Sequence, residues 1–187
     1  MRIIRALGAT VIAAGMLITS PGVAVAEEIS CRGVIGARTV DNLRVPSGAT
    51  CTLEGTIVKG TIKVESNAVL KASSVRVIGN VQAEGARNVV VRRASKVGGS
   101  IQIVQGGAAL IRGTSVNADI LFDDQGGLVR AERNGVGGNV QSFQNTGGVT
   151  IAGNTIDGNL QCKENRPAPT GGNNTVQGNK EDQCSRL

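Results

Sequence analysis

Val97-Gly98-Gly99-Ser100-Ile101, Val116-Asn117-Ala118-Asp119-Ile120, Val136-Gly137-Gly138-Asn139-Val140 and Ile156-Asp157-Gly158-Asn159-Leu160 repeat one phrase. An aliphatic residue leads, a small residue stands third, a small polar residue fourth and a second aliphatic fifth. The phrase extends upstream to Val58-Lys59-Gly60-Thr61-Ile62 and Val77-Ile78-Gly79-Asn80-Val81, and downstream to Val176-Gln177-Gly178-Asn179-Lys180. Successive copies start 19, 20, 19, 20, 20 and 20 residues apart. A period held this tightly predicts stacked structural repeats.

The columns of this alignment carry physical meaning. The third position (Gly60, Gly79, Gly99, Ala118, Gly138, Gly158, Gly178) predicts a turn with positive φ or a close backbone approach. The fourth (Thr61, Asn80, Ser100, Asp119, Asn139, Asn159, Asn179) predicts hydrogen bonding within and between stacked coils. Ile62, Val81, Ile101, Ile120, Val140 and Leu160 follow as inward residues. Lys63, Gln82, Gln102, Leu121, Gln141 and Gln161 then face outward, and Val64, Ala83, Ile103, Phe122, Ser142 and Cys162 return inward. This alternation is that of a strand. A second apolar arc runs through Leu70/Ala72, Val89/Val91, Ala109/Ile111 and Leu128. Val149/Ile151 follow one or two residues late, which predicts a small bulge or loop insertion. One coil cannot bury its own apolar face, whereas stacked coils can.

Over residues 35–180 these columns resemble the right-handed parallel β-helix family, the pectate-lyase-like solenoids. The expected fold is therefore all-β: a single-stranded right-handed parallel β-helix of about seven coils of 19–20 residues, with a disulfide at each end. The stretch 158–184 also resembles the ending of uncharacterised secreted proteins from high-GC Gram-positive bacteria, which implies a source and no activity.

Composition narrows the chemistry. The 187 residues include no His, Trp or Tyr and only two Phe. A Ser-His-Asp triad, a Cys-His pair and a His-ligated metal are excluded, and an aromatic platform for sugars or bases is nearly so. Residues 1–26 read as an export signal: Arg2 and Arg5, an apolar stretch from Ala6 to Ile18, a break at Pro21-Gly22, and the small residues Ala24-Val25-Ala26 before cleavage. The expected secreted domain is 27–187, with 18 basic and 14 acidic residues and a net charge of 18 − 14 = +4. No membrane contact is expected after cleavage, and the oligomeric state stays open.

Cys31 and Cys51 are 20 residues apart, and Cys162 and Cys184 are 22 apart, each close to one coil. Stacked positions lie about 4.8 Å apart, within reach of a disulfide. These pairs are expected to be bridges; a four-thiolate zinc site would need close Cys-x-x-Cys pairs.

Two surface features are candidates for function. Lys71, Arg92, Arg112 and Arg130, spaced by 21, 20 and 18 residues, are expected to stack into a basic ladder on one outer face, widened by Arg93, Lys96 and Arg133. Such a stripe suits an acidic polysaccharide or a teichoic-acid-like cell-wall polymer; nucleic acid is not expected. The resemblance implies the alternative, a polysaccharide lyase or glycoside hydrolase using clustered carboxylates, often with calcium. Glu65, Glu84 and Asp123 share a column for that role, interrupted by Val104, with Asp119 and Asp124 nearby. Gln82/Gln102 and Gln141/Gln161 are expected to form amide ladders. The leading expectation is a non-enzymatic binding or structural protein without a cofactor.

Overall fold

The computed structural model describes residues 27–187, so the expected export signal at 1–26 lies outside the described residues. Each coil contributes one strand to each of three sheets. The coil Ile101–Val104, Ala108–Arg112 and Ser115–Val116 is representative, and its strands define sheets A, B and C. The sheets hold nine, eight and eight strands in strict coil order, and every pairing is parallel. The result is a parallel β-solenoid of about seven turns, with no helix among the described residues.

The inward columns build one continuous core. Ile62, Val81, Ile101, Ile120, Val140 and Leu160 stack in register and are fully buried. Phe122 stands among the residues two positions on, between Ile103 and Ser142. Sheet B adds Leu70, Val89, Ala109, Val129 and Val149. Here one expectation is corrected. Leu128 is 42% exposed, and Val129 and Ala131 fill the inward slots opposite Ala109 and Ile111. Val149 and Ile151 then follow in register, so no bulge precedes them. The extra residue lies one coil earlier: four residues separate Val104 from Ala109, but five separate Asp123 from Val129. The enlarged corner folds Gln125 into the interior.

The glycine column is explained by close approach. None of Gly60, Gly79, Gly99, Gly138, Gly158 and Gly178 has positive φ. A Cβ on Gly79 would lie 2.7 Å from the Gly60 carbonyl oxygen, and one on Gly178 2.7 Å from that of Gly158.

Polar ladders run along all three corners. At the C-to-A corner, the Asn42, Asn80, Asp119, Asn139 and Asn159 side-chain oxygens, with the Thr61 and Ser100 hydroxyls, each accept the backbone N–H of the next rung. This is the column expected from the fourth repeat position. The other two corners hold buried ladders that the repeat phrase does not contain. At the B-to-C corner, Asn154 Oδ1 accepts from Asn134 N and Nδ2 at 2.9 and 3.0 Å, and Asn154 Nδ2 donates to the Ala131 carbonyl and Asn174 Oδ1. At the A-to-B corner, Gln125, Asn145 and Asn165 are linked the same way, and Gln183 closes the series. These amides supply backbone groups with partners where the chain leaves one sheet for the next.

Disulfides join Cys31 to Cys51 and Cys162 to Cys184, with Cα–Cα distances of 5.5 and 5.2 Å. They tie the coils near the two ends of the solenoid.

Candidate functional site

The basic residues divide into two columns. On sheet B, Lys71 lies opposite Val90, Val90 opposite Leu110, and Leu110 opposite Arg130. Two residues further along the same strands, Arg92 lies directly opposite Arg112, flanked by Ser73 and Glu132. The expected four-step ladder is therefore replaced by one stacked arginine pair, with Lys71 and Arg130 displaced to either side of two aliphatic residues. The spacings of 21 and 18 residues each miss the local register by two, which preserves the outer face but changes the column.

Arg92 Nε donates to Ser73 Oγ at 3.3 Å, and Arg112 Nε lies 3.6 Å from Glu132 Oε2. Both guanidinium groups remain exposed. Beyond them the chain turns toward sheet C through a left-handed residue in successive coils: Gly55, Ser74, Arg93, Gly113, Arg133, Gly153 and Asn173. Arg93 (φ 60°) and Arg133 (φ 54°) thus occupy a site that three other coils give to glycine and two to Ser74 and Asn173. On sheet C, Arg76 lies opposite Lys96. The cations consequently gather around the B-to-C corner rather than along the middle of sheet B.

The carboxylates occupy the far side of sheet A. Val64 opposes Ala83, so Glu65 and Glu84 follow on adjacent coils; Glu84 opposes Val104, and Val104 opposes Asp123. Ser47, Lys63, Glu65, Gln82, Glu84 and Gln102 help to line an open groove of about 760 Å³. Glu65 is already engaged within it. Its Oε2 accepts from Ser47 N at 3.0 Å and Ser47 Oγ at 3.2 Å, while its Oε1 accepts from Arg44 at 3.3 Å. The Ser47 backbone hydrogen bond, aided by Arg44, holds the Glu65 carboxyl below its ordinary value of 4.5. Arg44 also reaches Glu28 Oε1 at 2.9 Å, so this cluster ties the first coils together.

A calcium site does not fit these residues. Bound calcium takes six to eight oxygen ligands, and the Glu65 oxygens are committed to Ser47 and Arg44. Among the described residues, no group of three or more His, Cys, Asp or Glu is placed to hold a metal ion. Asp119 is a rung of the C-to-A ladder, and Asp124 is a left-handed corner residue. The amide ladder at Gln141 is formed: its Nε2 donates to Gln161 Oε1 at 2.8 Å, and Gln161 Nε2 donates to Glu181 Oε2 at 2.7 Å. Gln82 and Gln102 stand in register.

Glu65 provides a direct test of this arrangement. A group with a lowered folded pKa contributes stability above its unfolded value, and loses that contribution as pH falls through the folded one. The Glu65 contribution should therefore be fully present above about pH 4.5 and fade below it. An NMR titration of the Glu65 side-chain carboxyl should show a midpoint below 4.5 in the native protein, and Arg44→Gln should move it upward. An unshifted midpoint would contradict the Ser47 and Arg44 contacts.

Comparison of the chain with protein-family models, with curated proteins and with solved structures finds no match.

Proposed function

We propose that the protein is an exported, non-enzymatic scaffold that binds an acidic polysaccharide or another anionic cell-wall polymer along the B-to-C corner. The observation that carries this reading is the in-register Arg92–Arg112 pair, with Arg93 and Arg133 on the adjoining corner. A non-glycine residue in the left-handed region costs roughly 1–2 kcal/mol. Arginine at a left-handed corner site, which other coils fill with glycine, Ser74 or Asn173, accepts that cost and places charge at the corner. Coils about 4.8 Å apart present the guanidinium groups as a row, and their planar forks suit carboxylate and phosphate. Export is supported by the charged, then apolar, then small-residue order of residues 1–26, and two disulfides are compatible with an oxidising compartment. The likeness of the repeat columns to pectate-lyase-like right-handed helices belongs to the same reading, as does a bacterial source. The lyase or hydrolase alternative is disfavoured because Glu65 is held by Arg44 and Ser47.

The test is retention of residues 27–187 on immobilised polygalacturonate and teichoic acid at two salt concentrations, with the unbound fraction assayed for new chain ends. Retention on at least one polymer that salt removes, without new ends, is expected. Arg92→Gln/Arg112→Gln should weaken it by about tenfold or more, the scale of losing two charge-assisted hydrogen bonds. New chain ends would overturn the non-enzymatic reading, and no retention on either polymer would overturn polymer binding.

A further inference from the structure

The outer face of sheet C carries a second surface, in which two cations at the edge of the basic corner stand beside aliphatic residues that the polymer site does not need. In its early coils, outward positions alternate with the buried Val58, Val77 and Val97. The outward residues are Ile57 and Lys59 on one coil, Arg76 and Ile78 on the next, and Lys96 and Gly98 on the third. Ile57 opposes Arg76, and Arg76 opposes Lys96. The two isoleucines are therefore diagonal neighbours, close enough to form one patch, and each lies beside a cation on the adjoining coil. They are among the few large aliphatic residues left open to solvent, at 39% for Ile57 and 50% for Ile78. Gly98, on the far side of Ile78, adds no side chain to cover it. Lys59 pairs with Asp41 at 3.0 Å, whereas Arg76 and Lys96 project as exposed cations.

A hydrated anionic polymer would use Arg76 and Lys96 but gain little from Ile57 and Ile78. A flat face that presents aliphatic tips and cations together matches a different surface, in which anionic groups lie directly above hydrocarbon. We infer that this face docks on an anionic lipid bilayer, with Ile57 and Ile78 entering the boundary between headgroups and acyl chains and Arg76 and Lys96 meeting lipid phosphates. This is peripheral contact: no helix among the described residues is long and apolar enough to cross a membrane. It departs from the sequence expectation of no membrane contact, because the repeat alignment does not show that two isoleucines share an outward face with these cations. The inference goes beyond polymer binding and does not depend on it.

The test is co-sedimentation of residues 27–187, the segment that forms the whole described fold, with phosphatidylcholine vesicles with and without phosphatidylglycerol. The wild type should bind the mixed vesicles and leave the phosphatidylcholine vesicles largely unbound. Ile57→Ser/Ile78→Ser should lower binding to the mixed vesicles by about tenfold, the scale expected for withdrawing partly inserted aliphatic side chains. Both substitutions lie on the solvent side, so the variant should keep the native circular dichroism spectrum and its retention on the anionic polymer. Arg76→Gln/Lys96→Gln should give a comparable loss at low salt that shrinks as salt rises, because screening removes the same attraction from the wild type. Absence of binding to the mixed vesicles would overturn the inference. So would equal binding to both vesicle types, or unchanged binding by the isoleucine variant, which would mark the attraction as purely electrostatic. Arg92→Gln/Arg112→Gln, run in parallel, reads the polymer site, so failure of either proposal is seen separately.

Discussion

Replacing Asn154 with alanine is expected to destabilise the protein by about 3–5 kcal/mol, although the substitution removes only an amide. Asn154 is 1% exposed and serves three coils at once. Its oxygen accepts from the Asn134 backbone and side chain, and its nitrogen donates to the Ala131 carbonyl and to Asn174. Alanine leaves the buried Asn134 N–H without its acceptor, an orphaned group that costs about 1–3 kcal/mol, and takes a second donor from the Ala131 carbonyl and the acceptor from the Asn134 amide. The lost rung adds to that. Asn154→Asp should be at least as damaging, because the carboxylate keeps the acceptor but faces the Ala131 carbonyl without a proton to donate. Urea unfolding measures both effects, with Thr150→Ala on the outer face of sheet B as the surface control. A loss below about 1 kcal/mol, the size of an ordinary single hydrogen bond, would show that water replaces the ladder at little cost.

Phe122→Ala should cost a similar amount, about 3–5 kcal/mol, for a different reason. Phe122 is fully buried and is the largest side chain in the core. Its column neighbours are Ile103 and the much smaller Ser142. Ser142 cannot be exchanged freely for something larger, because its hydroxyl accepts from Asn145 Nδ2 and donates to Asn165 Oδ1. The ring therefore occupies volume that the polar ladder leaves unfilled, and sheets fixed by parallel pairing on three sides have little room to collapse around a cavity. Phe122→Leu should recover much of the loss. Equal urea midpoints for Phe122→Ala and the wild type would mean that the coils close over the space.

How far the sequence could be read follows from where each kind of information lies. Sheet A and the C-to-A ladder were legible because their residues recur at fixed places in the repeat phrase: Asn80, Ser100, Asp119 and Asn139 are visibly one column. The second arc failed at Leu128 because two neighbouring aliphatics, Leu128 and Val129, both satisfy the pattern. Only the length of the preceding corner decides between them. The basic ladder failed for a related reason. An offset of two residues leaves a side chain on the same face, so face assignment survives while column assignment does not, and Lys71 meets Val90 instead of Arg92. The engagement of Glu65 by Arg44 and Ser47 was invisible because these partners come from the preceding coil, where the repeat phrase is absent. The Asn134, Asn154 and Asn174 ladder could have been found: its members are 20 residues apart and each lies two positions before an inward aliphatic.

The corner ladders also bear on how such a molecule changes size. Each Asn rung binds only the rungs immediately before and after it, and each strand pairs only with its two neighbours in coil order. A gene duplication that copied the segment 136–155 would therefore place every new side chain against a partner of the kind it already has. The cylinder would lengthen by one coil, and its outer faces would gain one more row. Length in this architecture is close to a neutral variable, whereas a residue gained or lost within a coil must be absorbed at a corner, as before Val129, because inside a strand it would turn the inward column outward.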